Sequence, residues 1–444
     1  MQLKACCKAA DITPHRGVRL AGYPHYPREN TGAHDPLMAT CLYLDDGKCA
    51  IALVTLDILF FSKKYADRVK AAITESGIMD GERVLFTCSH THSGPWASGN
   101  PELEATAGDS EDIDEVYLAR LLDTLTGLVI DCAKNAYPAK VAYGDVICGA
   151  EYGIGGNRRE KGGLCDPRLC VLAVRDEADC LRGVICSYAL HPTFLHEDST
   201  VCTADYPYYL REKIKESHPD AVVGFAQSTS GDQSSRYFRQ GQSFDEAARV
   251  GGIMGEKAVN LIESLTFSDD VKLGMESAEV ELILRDYPPV EELEAIAAER
   301  KAEYLEKLNA GAPYLDVQNA NLRMLGAEDL LGYAICVRDG KRIDLLHDEI
   351  PCHIGAVRIG DLAVAYLPGE LFVQYGIAIK DRSAAAKTFV FELTNGCLPG
   401  YCCNEEALAE GTYEAGNSML SPRFGEHCVD VITGLIDRLF GDDK

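Results

Sequence analysis

The sequence predicts an α/β fold: one large domain spanning residues 1–444, with mixed β-sheet layered against helices. Three observations carry that expectation. Short apolar, β-prone runs alternate along the whole chain with segments of helical spacing. No internal repeat, low-complexity linker or Pro/Ser-rich boundary divides them. The composition, 46% hydrophobic and 25% charged, is that of a globular protein with ample material for a core.

Residues 9–34 are rich in Gly, Pro and Tyr and read as irregular structure. Residues 49–56 form an apolar run that stops at Asp57, and residues 63–75 have helical spacing. Residues 83–88 read as a buried strand, 102–110 as an acidic loop, and 116–136 as an amphipathic helix. Strands are expected at 141–150 and 169–174, on either side of a Gly-rich stretch at 151–163. A further strand at 183–189 leads to His191, followed by a helix at 206–216 and a strand at 221–226. Residues 244–265 read as a helix in spite of their glycines, and 271–284 alternate like a strand. Residues 291–308 are the strongest helix; its charge on most faces fits a solvated helix. Residues 354–367 read as two strands around a Gly360-Asp361 turn, 388–393 as a strand and 429–440 as a closing helix.

The formal net charge is −26, from 43 basic and 69 acidic residues. Such a surface repels phosphate backbones and anionic headgroups, so neither nucleic acid nor electrostatic membrane docking is expected. No apolar run approaches the roughly 20 residues of a membrane span, and the first residues lack the apolar core of a signal peptide. These features point to a cytoplasmic protein; they do not fix its oligomeric state. The 18 cysteines are scattered, with adjacent pairs at Cys6-Cys7 and Cys402-Cys403 and no CxxC. That excludes the common zinc-ribbon and thioredoxin signatures and suggests free thiols in a reducing compartment.

The chemistry gathers at strand ends. Val84-Leu85-Phe86 runs through Ser89-His90-Thr91-His92-Ser93 and breaks at Gly94-Pro95. Neighbours at i and i+2 on a strand share a face, so His90 and His92 can reach one site. A bare HxH is more often a pair of solvated loop histidines. Here other apolar runs end in His191, in Ser234 after Gly231-Asp232, and in Glu370, and Tyr401 follows in a Gly/Pro-rich turn. Such convergence suits a catalytic zinc, which needs N/O ligands and an open position. Gly231-Asp232-Gln233-Ser234-Ser235 is not the GxSxG nucleophile elbow, so a serine hydrolase starts weak.

These residues resemble motifs of the neutral, non-lysosomal ceramidases. Ser89 to Pro95 resembles that family's THTHSGP, Leu367 to Leu371 its VPGEF, and Gly156-Asn157-Arg158 its NRS. Phe225 to Ser235 is similar to FAQTNAGNLSPN, and Gly32-Ala33-His34-Asp35 to GIHD. Gly400-Tyr401 and Tyr413-Glu414 resemble YVTT and NYEG, with their tyrosines twelve residues apart as in the family. The matches keep family order from about residue 10 to about residue 425. The resemblance implies a zinc held by His90, His191, Glu370 and Tyr401, whose bound water attacks the amide of an N-acyl substrate. It implies His92 as general acid or base, Tyr413 and Arg158 at the carbonyl oxygen, and Ser234 as a substrate-positioning or oxyanion group. The family carries a C-terminal β-sandwich, and no counterpart of it is expected within residues 1–444. Asp232 and Arg236 stand where the family has neutral residues, which leads us to expect a polar pocket side built from Arg158, Asp232 and Arg236. A zinc esterase or lactonase on a small polar substrate, and a non-catalytic ligand-binding descendant, are the alternatives.

Overall fold

The computed structural model describes residues 2–97, 113–341 and 346–441; the acidic stretch at 102–110 lies outside them. Two mixed sheets form its centre. The larger runs Val222–Gln227, Leu181–Tyr188, Arg168–Asp176, Tyr137–Ile147, Lys4–Asp11, Met38–Asp45, Ala50–Leu56, Val84–Cys88. Its two outermost pairs, one at each edge, are parallel. The smaller runs Leu273–Val280, Cys352–Ile359, Leu362–Tyr366, Lys387–Phe391, again closing on a parallel pair.

The layering follows from side-chain alternation along each strand. Leu42, Leu53, Leu85 and Leu172 of the large sheet meet Val357, Leu362, Val364 and Phe389 of the small one. The opposite faces of the same strands carry Cys41, Val54 and Phe86, which pack on the helices Lys63–Glu75 and Glu115–Lys134. Val171, Val184 and Phe225 pack on Tyr206–Ser217 and Phe244–Ser264. The small sheet turns Ile354, Ala363 and Val390 to the helices Val373–Arg382 and Pro422–Phe440. The result is helix, sheet, sheet, helix. Strands buried on both faces read as continuous apolar runs, which is why they were legible. Each fully buried large aliphatic or aromatic side chain stabilises this core by roughly 1.5–3 kcal/mol.

The large sheet curls. Gly224, on the edge strand Val222–Gln227, lies so close to Ala50–Leu56 that an added Cβ would stand 2.4 Å from Thr55 Oγ1. Glycine permits this approach, which brings the two edges of the sheet, and the loops that leave them, to one place. The opposite edge, Val84–Cys88, is covered from the small sheet: Asn395 accepts from Phe86 N at 2.8 Å and donates to Val84 O at 3.3 Å. Left-handed Asn395, at φ 58°, thus occupies the position of a strand partner.

The expected elements are present with small boundary shifts, including the Gly360-Asp361 hairpin. The sequence reading passed over the strands Lys4–Asp11 and Met38–Asp45 and the helices Tyr314–Arg338 and Val373–Arg382. All 18 cysteines are free thiols, most of them buried. Among the described residues no helix is long and apolar enough to cross a membrane.

One tie in this frame should titrate. Glu349 is buried and accepts from Lys63 N and Cys397 N, joining a helix start to the 395–397 turn. Burial outweighs those hydrogen bonds and pushes its carboxyl up from 4.5 to about 8. The folded state therefore holds a proton that the unfolded chain releases, so this contribution is lost as pH rises from about 4.5 to about 8. Glu349→Gln is expected to flatten the fall in melting temperature between those limits; an unchanged slope would contradict the assignment.

Candidate active site

Three histidines meet where the sheet edges converge. The chain leaves Val84–Cys88 and turns sharply at His90, whose φ of 65° is rare for a residue with a Cβ. Non-glycine residues in that region cost free energy and cluster at functional sites. His191 follows the strand Leu181–Tyr188. The ligand nitrogens of His90, His92 and His191 lie within 4.8 Å of one another.

Each ring is oriented by a backbone carbonyl. His90 Nδ1 faces Leu59 O at 3.2 Å, His92 Nδ1 faces Gly22 O at 2.7 Å, and His191 Nδ1 faces Gln233 O at 3.1 Å. A carbonyl only accepts, so each Nδ1 carries a proton and each ring turns its Nε2 inward. Burial, with Arg158 beside it, holds His191 near pKa 4, and burial, with the adjacent imidazoles, holds His92 well below 6.5. Carbonyl-held, neutral imidazoles are what metal-binding histidines look like.

Glu370 completes the centre. Its Oε2 sits 3.2 Å from both His90 Nε2 and His191 Nε2, buried and without a hydrogen bond. A buried carboxylate oxygen is costly without a partner, and a cation bound among these donors would supply one. Glu370 pairs in parallel register with Tyr401 on a two-residue ladder, Glu370–Leu371 beside Tyr401–Cys402, so the two side chains share a face. The donors fit a divalent metal: imidazole nitrogens and a carboxylate are ordinary zinc ligands.

A cavity opens over this centre. Its wall carries His92, His191, Arg158, Ser234, Tyr401 and Tyr413. Arg158 is anchored by Glu414, Nε to Oε1 2.6 Å, and lies over the Tyr401 ring with its Nη1 3.4 Å from His191 Nε2. Its Nη2 is buried without a hydrogen-bond partner. The helix Tyr314–Arg338 roofs the cavity with Leu315, Leu322 and Leu325. Gly326 and Gly416 let that helix cross Tyr413–Gly416 at backbone contact, which fixes Tyr413.

No protein-family model matches the chain, and no curated protein matches it in sequence. Solved structures do match in shape. The neutral ceramidase of Pseudomonas aeruginosa aligns over 99% of this chain and 74% of its own, at 18% identity and a TM-score of 0.73. A ceramidase solved in complex with C2 aligns over 100% of this chain and 76% of its own, at 16% identity and a TM-score of 0.73. This chain has the neutral-ceramidase fold.

Within the ceramidase fold, the residues singled out in the sequence fall into two groups. His90, His92, His191 and Glu370 meet at the centre, and Arg158, Ser234, Tyr401 and Tyr413 surround it. Asp232 corrects the expected polar wall. It turns into the protein, accepting from Asn157 Nδ2, Gln233 Nε2 and Val373 N, and does not line the cavity; Arg158 and Arg236 do. The Gly32–Asp35 element lies elsewhere: Asp35 is buried against Thr203 and Ala204.

Three supporting residues escaped the sequence reading. Glu392 accepts from Ser230 N and Leu371 N and so holds the Glu370 segment in place. Arg28 donates to His92 O and Ala21 O, tying the histidine loop to the N-terminal segment. Gly22 supplies the carbonyl under His92. A carboxylate following the apolar run 388–391 was the one available signal for Glu392; Arg28 and Gly22 lie in an irregular segment without pattern.

Proposed function

We propose that this protein is a zinc-dependent hydrolase that cleaves the amide bond of an N-acyl compound, as the ceramidases of its fold are named for doing. The observation that carries the reading is the convergence of His90 Nε2 and His191 Nε2, each at 3.2 Å, on a buried Glu370 Oε2 that has no hydrogen bond. His90, His191, Glu370 and Tyr401 would hold the zinc. Bound there, zinc supplies Lewis acidity, polarising a carbonyl and lowering the pKa of water.

The chain's own groups divide the remaining work. His92, a neutral ring with its Nε2 facing the centre, takes a proton from the attacking water and returns it to the departing nitrogen. The new C–O bond forms as the C–N bond breaks, releasing a carboxylic acid and an amine. Arg158 and Tyr413, both on the cavity wall, would stabilise the oxygen on which negative charge develops. Ser234, on the same wall, positions the substrate. The test is release of fatty acid from an N-acyl amine by the purified protein, abolished by a chelator and restored by zinc. No release from any N-acyl amine, with ester hydrolysis in its place, would overturn the amidase reading.

Gly22 provides an independent check. A Cβ there would lie 2.6 Å from the Cα of His92, on a backbone at φ 98° that side chains avoid. Gly22→Ala is expected to lower turnover at least tenfold while the metal content stays at the wild-type level, because the atoms its Cβ would meet all belong to His92. Wild-type turnover in this variant would mean that the position of His92 does not matter.

A further inference from the structure

The cavity is cationic on a strongly acidic protein. Three arginines, Arg158, Arg236 and Arg239, line it against a single carboxylate, Glu197. Arg158 is neutralised by Glu414. Glu197 is held by His196, Nδ1 to Oε2 3.2 Å. Arg236 and Arg239 have no carboxylate within ion-pair distance among the described residues. Arg236 donates to the carbonyl of Arg158 at 3.3 Å, and Arg239 contacts His196 Nε2 at 2.9 Å. Burial lowers the pKa of both side chains, and Arg158 adds to the effect at Arg236. Both guanidinium groups are part-buried in the cavity wall, and a guanidinium shielded from water is costly unless something pairs with it. On the other side, Leu315, Leu322 and Leu325 present an apolar surface.

We propose that the substrate is an anionic amphiphile, an N-acyl amino acid whose free carboxylate is bound by Arg236 and Arg239 while its acyl chain lies along the helix Tyr314–Arg338. This rests on the amide-hydrolase reading above and names its substrate class. The planar guanidinium fork matches a carboxylate in two-point geometry. A ceramide has hydroxyls at the corresponding place and would leave both cations without a counter-ion in a part-buried site, which is the more expensive arrangement.

The experiment compares N-lauroyl glycine, N-lauroyl glycinamide and N-lauroyl sphingosine, which share one acyl chain, on the zinc-supplied protein. The carboxylate compound is expected to have a kcat/KM at least tenfold above the carboxamide, since a charge-assisted hydrogen bond is worth roughly 10- to 100-fold. Arg236→Gln and Arg239→Gln are each expected to bring that ratio toward one, chiefly through KM. A wild-type preference for the carboxamide or the ceramide, or a ratio that neither variant moves, overturns the proposal. Thermal shifts with the glycine and glycinamide compounds separate this from the hydrolase reading. Anion-selective stabilisation that the variants lose, without cleavage of any amide, keeps the anion site and removes the hydrolase. The absence of anion-selective stabilisation overturns the anion site whatever the activity.

Discussion

His92→Ala is expected to keep its zinc and lose turnover by roughly 10²–10⁴-fold, the usual worth of a positioned general acid or base. Two roles compete for this residue. Its Nε2 lies 3.3 Å from His90 Nε2, close enough to join a ligand set. Glu370 Oε2, however, makes its two close contacts with His90 and His191. That leaves His92 beside the centre, on the cavity wall, with Tyr23 packed edge-on against it at 5.2 Å. A ring in that position reaches both water and substrate. Truncation there removes no core packing, so the fold should survive. Elemental analysis of the variant alongside its kinetics decides the matter: loss of zinc with His92→Ala would make it a ligand and leave the proton transfer to another group.

The fold was legible where the strands are buried on both faces. Val84–Cys88, Leu181–Tyr188 and Val222–Gln227 are mostly apolar because helices cover one face and sheet the other. Lys4–Asp11 reads Lys-Ala-Cys-Cys-Lys-Ala-Ala-Asp, with little β-propensity, and exists because both of its edges are paired. Tyr314–Arg338 hid for a different reason. One side packs on Val290–Asn309, another on Tyr413–Gly416, and a third roofs the cavity, so its apolar residues form no single stripe.

The site was legible in its ends and not in its supports. The histidine pair and His191 stand where apolar runs stop, a pattern visible in one sequence. Glu370 also ends an apolar run, but its role beside Tyr401 came only from motifs in family order, since nothing in either stretch reveals that the two pair in one ladder. Asp232 was misplaced because a charge in a loop gives no direction; three N–H donors turn it inward. Glu392 and Arg28 act through backbone groups distant in sequence, and no local pattern records such contacts.

The most direct test of the account is the metal content of the purified protein beside that of a His90→Ala, His191→Ala double variant. The inward Nε2 atoms, the carbonyl-bound Nδ1 atoms and the carboxylate oxygen without a hydrogen bond all follow if a cation belongs at their centre. The wild type should carry about one tightly held zinc per chain, as expected for a closed set of protein ligands. Removing both imidazoles leaves Glu370, Tyr401 and the neighbouring His92 ring but takes away the two nitrogens that converge on Glu370 Oε2, so the double variant should lose the ion on dialysis and carry none. Melting temperature read with and without added zinc gives the same answer without any substrate: a rise for the wild type and none for the variant. Full zinc occupancy in the double variant, or a wild type that binds no metal, would contradict the central claim.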